Sequence, residues 1–484
     1  MKTRITSLAR QQGSAYMTVV ITAIVVGAML VAYLKMITVQ NQFTMRSQAW
    51  NRTVPVLEAG VEEALAHLNQ NAAPDSGGSF NLNLASDGWQ AAPGGGWYKI
   101  GQIGDDYYYT KISSFSPGAN GYYPFITSTG YVAQVPTLSM MPRWQSGPLM
   151  AAVSIEQLIT SGYTRRTVLC STTNVPTFTK ALVAKRGITM NGQNVRTDSF
   201  DSGDPLYNDG FGHYTNNPSS KWKTNGDIAS NDTITNTVAI GNANIYGKVA
   251  TGPYGTIGLN SGGYVGDKTF QGDPANGGKI QKGWSSDDMN MEFPSVNVPT
   301  NLYAATPPSG SSFTTNGVTY NTVLGVRGNR YDYDMQGQTL SGNVYVSGTV
   351  RLLVRAGINM SGQDRITLEP GAYLYLYADC ASSSLGGNGV QNPGTAEHFY
   401  YFGTDKNTSL SYGGNAAFTA VFYAPNADMQ LGGGGNSTID FSGSAIAKTI
   451  KITGNFNFHY DENLKRVGLY SGYILTSWDE MLAR

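Results

Sequence analysis

The hydrophobic and polar positions change their period twice along the chain. From Ser14 to Leu34 no charged residue interrupts an apolar run. At about 1.5 Å per residue the run spans about 32 Å, the depth of a bilayer core. A secretory signal carries a shorter apolar stretch with a small-residue cleavage site behind it. No such site follows Leu34, so a retained membrane helix is predicted. Lys2, Arg4 and Arg10 precede it and Lys35, Arg46 and Arg52 follow, which biases the amino terminus only slightly toward the cytoplasm. No second apolar run of comparable length occurs, so the rest of the chain is expected on one side of the membrane.

The period then becomes helical and amphipathic. Met36 to Asn51 contains no Gly or Pro, and Val54, Leu57, Val61, Ala64, Leu65 and Leu68 form one apolar stripe, with Glu58, Glu62 and Glu63 off it. Pro55 removes a backbone donor and is expected to kink or restart the helix. Residues 14–70 therefore read as a stalk, one half in the membrane and the other packed on something outside it.

After a linker from Asn69 to Gly95 the period falls to two. Trp97 to Ile100, Tyr107 to Ile112, Phe125 to Val132 and Thr164 to Leu169 read as strands, parted by turn pairs such as Pro117-Gly118 and Asn120-Gly121. A small antiparallel sheet packed on the stalk is expected for residues 71–176. The second half repeats itself. LVAKRGITMNGQ (Leu182 to Gln193) matches LLVRAGINMSGQ (Leu352 to Gln363) without a gap, and IAKTIKITGN (Ile446 to Asn455) matches with one deletion. Looser copies are YAPNADMQLGG from Tyr423 and VAIGNANIYGK from Val238. In each, Ile or Met alternates with polar residues before a Gly turn. A short strand cannot bury its apolar face alone, whereas stacked copies cover one another. Ala424 and Ala447 lie 23 positions apart, close to one coil of a β-helix. Further strands are expected at Ser341 to Gly348, Arg365 to Leu368 and Ala372 to Tyr377. The predicted fold is mainly β with a long N-terminal α-helix: stalk, small antiparallel sheet, then a β-helix or β-solenoid over 177–464 and a C-terminal tail over 465–484. The competing fold is a Gly-rich β-sandwich.

Composition narrows the function. The 32 basic and 32 acidic residues cancel, and charged residues make up 13% against a usual ~25%. A nucleic-acid binder would show a basic excess, and a long coiled coil many more charges. At 40% hydrophobic, the chain is no charge-driven disordered polymer. Fifty-nine glycines in 484 residues fit a turn-rich β protein. The two cysteines, Cys170 and Cys380, make no disulfide framework; they form one bridge or stay buried as small apolar residues.

The basic leader (1–13) ending in Gly13, the apolar helix and the amphipathic LEAGVEEALAHL together resemble the N-terminal region of type IV pilus assembly minor pilins of the PilX type. The resemblance covers about the first 70 residues. It implies cutting by a prepilin peptidase between Gly13 and Ser14. Thr18 stands where major pilins carry a glutamate, and Ser14 where they carry Phe or Met, which fits a minor component better than a main subunit. The closing run GNFNFHYDENL (Gly454 to Leu464) is similar to the end of an uncharacterised solenoid domain found behind pilin-like amino termini in bacteria.

Signatures of chemistry are sparse. No H-E-x-x-H, C-x-x-C or G-x-S-x-G occurs, and Gly283-Trp284-Ser285-Ser286-Asp287 fails at its last position. Asp332, Asp334 and Gly337 begin like a calcium loop, but Asn343 stands where the bidentate glutamate belongs. Gly432 to Gly435 lacks the lysine of a phosphate loop. Asp201, Asp204 and Asp209 read as a solvated loop. His67 reads as a helix surface or packing residue. His398 beside Glu397, and His459 before Asp461 and Glu462, read as hydrogen-bonded caps at a solenoid end. The rival reading is a β-helix enzyme acting on polysaccharides, with Asp332, Asp334, Asp364 and Arg365 as candidates, or a sugar-binding surface using Tyr400, Tyr401 and Trp284. The favoured expectation is a non-enzymatic pilin-like envelope protein with no catalytic residue, metal or cofactor. It would cross the inner membrane once and expose a large periplasmic or extracellular domain. Ala23 with Gly27 and Ala28 with Ala32 would let its helix pack against other pilin-like subunits.

Overall fold

The computed structural model describes residues 12–69, 84–113, 123–133, 163–192, 194–298, 312–414, 417–433 and 441–481. Most of the leader and of the linker, the Pro117-Gly118 and Asn120-Gly121 turns, and Gly434 and Gly435 lie outside them. The chain divides into two units. One comprises residues 1–68, 82–173 and 473–484, and the other residues 69–81 and 174–472.

In the first unit a single helix, α1 (Gln12–Asn69), runs 58 residues, about 87 Å at ~1.5 Å per residue. Its first half is long and apolar enough to cross a membrane, and Tyr16, Ile21, Ile24, Met29 and Leu30 are all exposed. Its second half buries Ala49, Thr53, Val56, Leu57, Gly60, Val61, Ala64 and Leu68. Of the expected stripe, Val54 and Leu65 lie only half-buried at its rim. Pro55 neither ends nor restarts the helix. It sits on the exposed side, where a carbonyl left without its helical donor can be met by water.

The amphipathic half packs on a six-stranded sheet, ordered Gln90–Ala91, Trp97–Ile103, Asp106–Ile112, Phe125–Ala133, Tyr163–Pro176 and Tyr470–Met481. The first five pair antiparallel in succession. The described residues of the expected tail over 465–484 instead supply most of a short helix (Leu464–Val467) and this sixth strand. In Asp106–Ile112 every second residue is buried, and Tyr108, Val132, Ala49 and Val56 form a small core. Polar groups pin it. Arg52 Nη2 lies 2.7 Å from Asp106, the Tyr108 hydroxyl donates to Glu63 at 2.6 Å, and Lys99 Nζ lies 2.8 Å from Glu63. Cys170 is buried on this sheet and free, and burial pushes its thiol up to about 11.

The second unit is built on parallel pairing in rows. One row runs Arg330–Asp334, Thr349–Val354, Tyr373–Ala378, Phe399–Gly403, then the first parts of Phe418–Gly433 and Phe441–Gly454, then Leu182–Ala184, Ile228–Ser230, Val249–Ala250 and Ser285–Ser286. A second runs Ile358–Met360, Ser382–Gly387, Ser409–Gly414, the later parts of the same two long strands, then Ile188–Met190, Val238–Gly241 and Ile257–Leu259. Asn457–Asp461, Arg196–Phe200, Asn244–Ile245, Tyr264–Val265 and Lys279–Ile280 form a further parallel row, and Thr322–Leu324, Asn343–Val346, Arg365–Leu368 and Val390–Gln391 form a separate parallel sheet.

The alternation read from the repeats becomes columns of like residues. Leu352, Leu376, Tyr401, Phe422, Ala445, Leu182, Ile228 and Val249 succeed one another in register, and each is buried. Met360, Leu385, Tyr412, Leu431, Ile452 and Met190 form a second column. Full burial of such a side chain is worth about 1.5–3 kcal/mol. Phe441 stacks between Phe418 and Phe458 at ring distances of 5.5 and 4.4 Å. Ala424 pairs with Ala447, and Ile446, Ile450 and Ile452 pair with Val183, Ile188 and Met190, the one-residue deletion falling between them. The copy at Val238 is one strand out of phase, because Val238 pairs with Ile188, in the second position of the repeat. Cys380 is buried among these columns and free. The Cys170–Cys380 bridge is therefore not formed: each thiol is enclosed by the core of its own unit.

Space order is not chain order. Phe441–Gly454 and Asn457–Asp461 are flanked by the strands of 182–200, the first of the unit.

The helix–sheet contact depends on Gly60. A Cβ there would meet the buried hydroxyls of Thr110 and Ser128, which bond each other at 3.0 Å. Gly60→Val should therefore cost about 1–3 kcal/mol in the unfolding of the chain in detergent. Gly27→Ala, with no atom within 4 Å, should leave the melt unchanged.

Candidate functional site

The most concentrated chemistry sits where the two ends of the second unit meet. Strand Asn457–Asp461 places His459 opposite Asp198 of Arg196–Phe200. Both are buried, at 1% and 0% exposure. His459 Nδ1 lies 2.5 Å from Asp198 Oδ1. The Tyr214 ring stacks on the imidazole with centroids 3.4 Å apart, and its hydroxyl donates to Asp198 Oδ2 at 2.9 Å. Burial first, then the Asp198 charge, raises that phenol well above its ordinary range. Arg196 Nη2 lies 2.5 Å from Asp198 Oδ2, and its guanidinium rests over Trp222 and Tyr246 at 4.0 and 4.9 Å. Lys268 Nζ takes another place over Trp222 at 3.7 Å and donates to the Ser219 and Trp222 carbonyls. A charge-assisted, aromatic-walled network of this kind is costly to leave incomplete.

The next residues continue the knot. Glu462 accepts from Ser199 Oγ and Asn225 Nδ2, both at 2.8 Å, and pairs with Lys223 at 2.5 Å. Asp461 Oδ1 accepts the amides of Ser202 and Asn463, both at 3.0 Å. Burial raises its carboxyl to about 7 against the pull of those amides. Asp201 pairs with Arg466 at 2.5 Å. The run His459–Glu462 was expected to cap an end of the repeats. It lies in the interior instead, because its strand is paired on both sides, to Phe441–Gly454 and to Arg196–Phe200. The sequence reading missed Asp198, Arg196, Tyr214 and Trp222. The available signal was the charge alternation in RTDSF, a strand whose polar residues are almost all buried.

The other candidates separate. Asp204 and Asp209 close their own turns, Asp204 accepting from the Leu206 amide and Asp209 from those of Phe211 and His213. His213 also meets the Pro393 carbonyl at 3.0 Å, and His398 pairs with Thr395 and stacks on Tyr373. His67 accepts from Trp89 Nε1 at 3.0 Å. Tyr400 and Tyr401 are core residues rather than a sugar platform, exposed 3% and 0%. Trp284 is partly buried against the same core. Asp332 is gripped by Arg351 through both carboxylate oxygens. Burial alone would raise its carboxyl, but Arg351 holds it below the ordinary range. Asp334 pairs with Arg355 at 3.1 Å, Asp379 with Arg355 and Lys406, and Asp364 accepts its own turn's Ser361 amide. Arg365 opens the strand Arg365–Leu368. These acids are spent on neighbouring cations or turns and do not converge. Among the described residues no group of three or more His, Cys, Asp or Glu could hold a metal ion.

Asp198→Ala would leave the buried His459 and Tyr214, and the half-buried Arg196, without their shared acceptor. A loss of about 3–5 kcal/mol is expected by denaturant titration. Asp334→Ala, at a partly exposed pair, should cost less than about 1 kcal/mol.

Residues 314–467 match the model of a family described as a domain of unknown function (DUF7305). No curated protein and no solved structure matches the chain. The matched stretch contains His459, Asp461 and Glu462 but not Asp198 or Arg196, so half of the buried network lies outside it.

Proposed function

We propose that this chain is a non-enzymatic, pilin-like envelope protein: a minor component, or an assembly, tip or adhesion factor, of a type IV pilus-like system. Its helix crosses the inner membrane once, and residues 177–464 form a β-solenoid presented on the periplasmic or extracellular side. The observation that carries the reading is the division of α1. From Ala15 to Leu34 every apolar side chain is exposed, and the second half buries an amphipathic face on an antiparallel sheet. The solenoid part is supported by columns of buried residues that recur in parallel register, as in Phe418 to Phe441 and Val350 to Leu374. The apolar half needs lipid or other apolar helices around it, because water solvates it poorly. Prepilin peptidase and other pilin-like subunits are the partners this reading calls for. Gly13 and Ser14, the proposed processing pair, stand in the first turn of α1. A function by shape and position also suits a domain in which the candidate acids Asp332 and Asp334 are already paired with arginines.

Mass spectrometry of the amino terminus in membranes tests the reading. A chain beginning at Ser14 is expected, and an intact Met1 would point to a tethered wall protein with no pilus partner. Turnover of acidic polysaccharides by the full chain, lost in Asp332→Asn, would replace it with the enzymatic reading.

A further inference from the structure

The first parallel row of the second unit begins at Arg330–Asp334, and the outer side of that strand is open. The Asn329 carbonyl accepts from the Thr349 amide at 2.9 Å, and the Met335 amide donates to the Leu353 carbonyl at 3.0 Å. Backbone groups alternate sides along a strand. Tyr331 and Tyr333 therefore turn theirs toward Thr349–Val354, and Arg330, Asp332 and Asp334 turn theirs away. Among the described residues no strand and no hydrogen bond reaches the amides and carbonyls of those last three. The Arg330 side chain is 60% exposed, and Val326, in the turn just before the strand, is exposed as well. The far end of the row offers much less, because Ser285–Ser286 is only two residues long. A row of unpaired backbone groups is a ready template for another strand.

The order of side chains on this strand, RYDYD, selects what can lie against it. Arg330, Asp332 and Asp334 share one face, and Tyr331 and Tyr333 share the other, packed with the core. Two copies laid antiparallel about Asp332 set Arg330 of each opposite Asp334 of the other, and Tyr331 opposite Tyr333. The residues that would exchange backbone bonds in this register are Arg330, Asp332 and Asp334, whose groups point outward. Asp332 meets its own counterpart, but each carboxylate is already gripped by Arg351 through both oxygens and has Arg330 Nε at 3.6 Å. Asp334 keeps Arg355 of its own chain at 3.1 Å. A parallel arrangement would instead set Arg330 on Arg330 and Asp334 on Asp334, which repel. Charges on an edge ward off most strands. These, in this order, reject a parallel copy and admit an antiparallel one.

We propose that this edge is the interface of a head-to-head dimer, in which Arg330–Asp334 of two copies pair antiparallel about a two-fold axis at Asp332. The parallel row of one copy then continues into the row of the other. The contact uses the same patch on both copies, so it closes at two and does not grow into a filament. Pairing here uses no residue of α1, and it is therefore independent of what the apolar half of that helix does.

Oxidation of the full-length Asp332→Cys variant in detergent, at micromolar concentration, tests this, because position 332 meets itself on the axis. A disulfide-linked dimer is expected on a non-reducing gel. None is expected from Asp364→Cys, on a turn off the edge, and the buried Cys170 and Cys380 supply no background. Adding Arg330→Asp to Asp332→Cys should cut the cross-link at least about tenfold, since two attractive contacts become repulsive ones. Adding Asp334→Arg as well should restore it. Arg330 is exposed and its replacement leaves the fold intact; should Asp334→Arg unfold the chain by giving up Arg355, the Arg330→Asp arm alone decides. No cross-link in Asp332→Cys, a yield unchanged by Arg330→Asp, or a folded charge swap that does not regain it would overturn the proposal. So would slow hydrogen exchange at the Arg330, Asp332 and Asp334 amides of a wild-type chain that sediments as a monomer, since another segment of the same chain would then cover the edge.

Discussion

Parallel backbone pairing between the first and last strands of the second unit is the constraint on which the rest depends. Ile446 on Val183, Ile450 on Ile188 and His459 on Asp198 join segments some 260 residues apart in sequence. Without that pairing the chain would present two partial arrays, each with an open edge of unpaired N–H and C=O groups. With it, the columns of Leu, Ile, Phe and Val run unbroken from Leu352 to Val249. The long loop closure needed to bring the ends together must be offset by what the junction gains. It gains aromatic stacking at Phe441 and Phe458, and a cluster of opposite charges and hydrogen bonds around Asp198.

The junction also explains why so many charged residues are buried in a chain with so few. Asp198, Asp201, Asp461 and Glu462 all lie within a few residues of the strands that meet there. A buried ion pair rarely adds much net stability over an apolar one, but it discriminates strongly against mispairing. In an array whose rows all carry the same apolar alternation, any strand could in principle stack on any other. Matching Arg196, Asp198 and Tyr214 to His459, and Lys223 to Glu462, gives one pairing an advantage that its neighbours lack.

The first unit solves a different problem. Its helix has one stretch, from Ala15 to Leu34, whose apolar side chains are exposed, and one half that must hold a sheet. The amphipathic half achieves close approach through Gly60, and through Gly130, whose Cβ would strike the Thr53 carbonyl. Arg52 with Asp106 and Glu63 with Tyr108 and Lys99 then fix the face. The sheet takes its sixth strand from residues 470–481, so the second unit is an insertion between two neighbouring strands of the first.

The sequence by itself determined the elements and their inward faces. The uncharged run after Ser14, the stripe around Leu57 and Val61, and the strands from Trp97 to Leu169 all follow from local period. The repeat even fixed a register, Ala424 on Ala447, because adjacent copies in the chain are adjacent in space. Only the tertiary structure decided which distant strands meet. It moved His459 from an expected edge to the interior, joined the last strand to the small sheet, kept α1 whole through Pro55, and left Cys170 and Cys380 unbridged. The physical reason is that alternation tells a residue which side to face but not whom to face. That choice lies in long-range partners such as Asp198, which local pattern does not reveal.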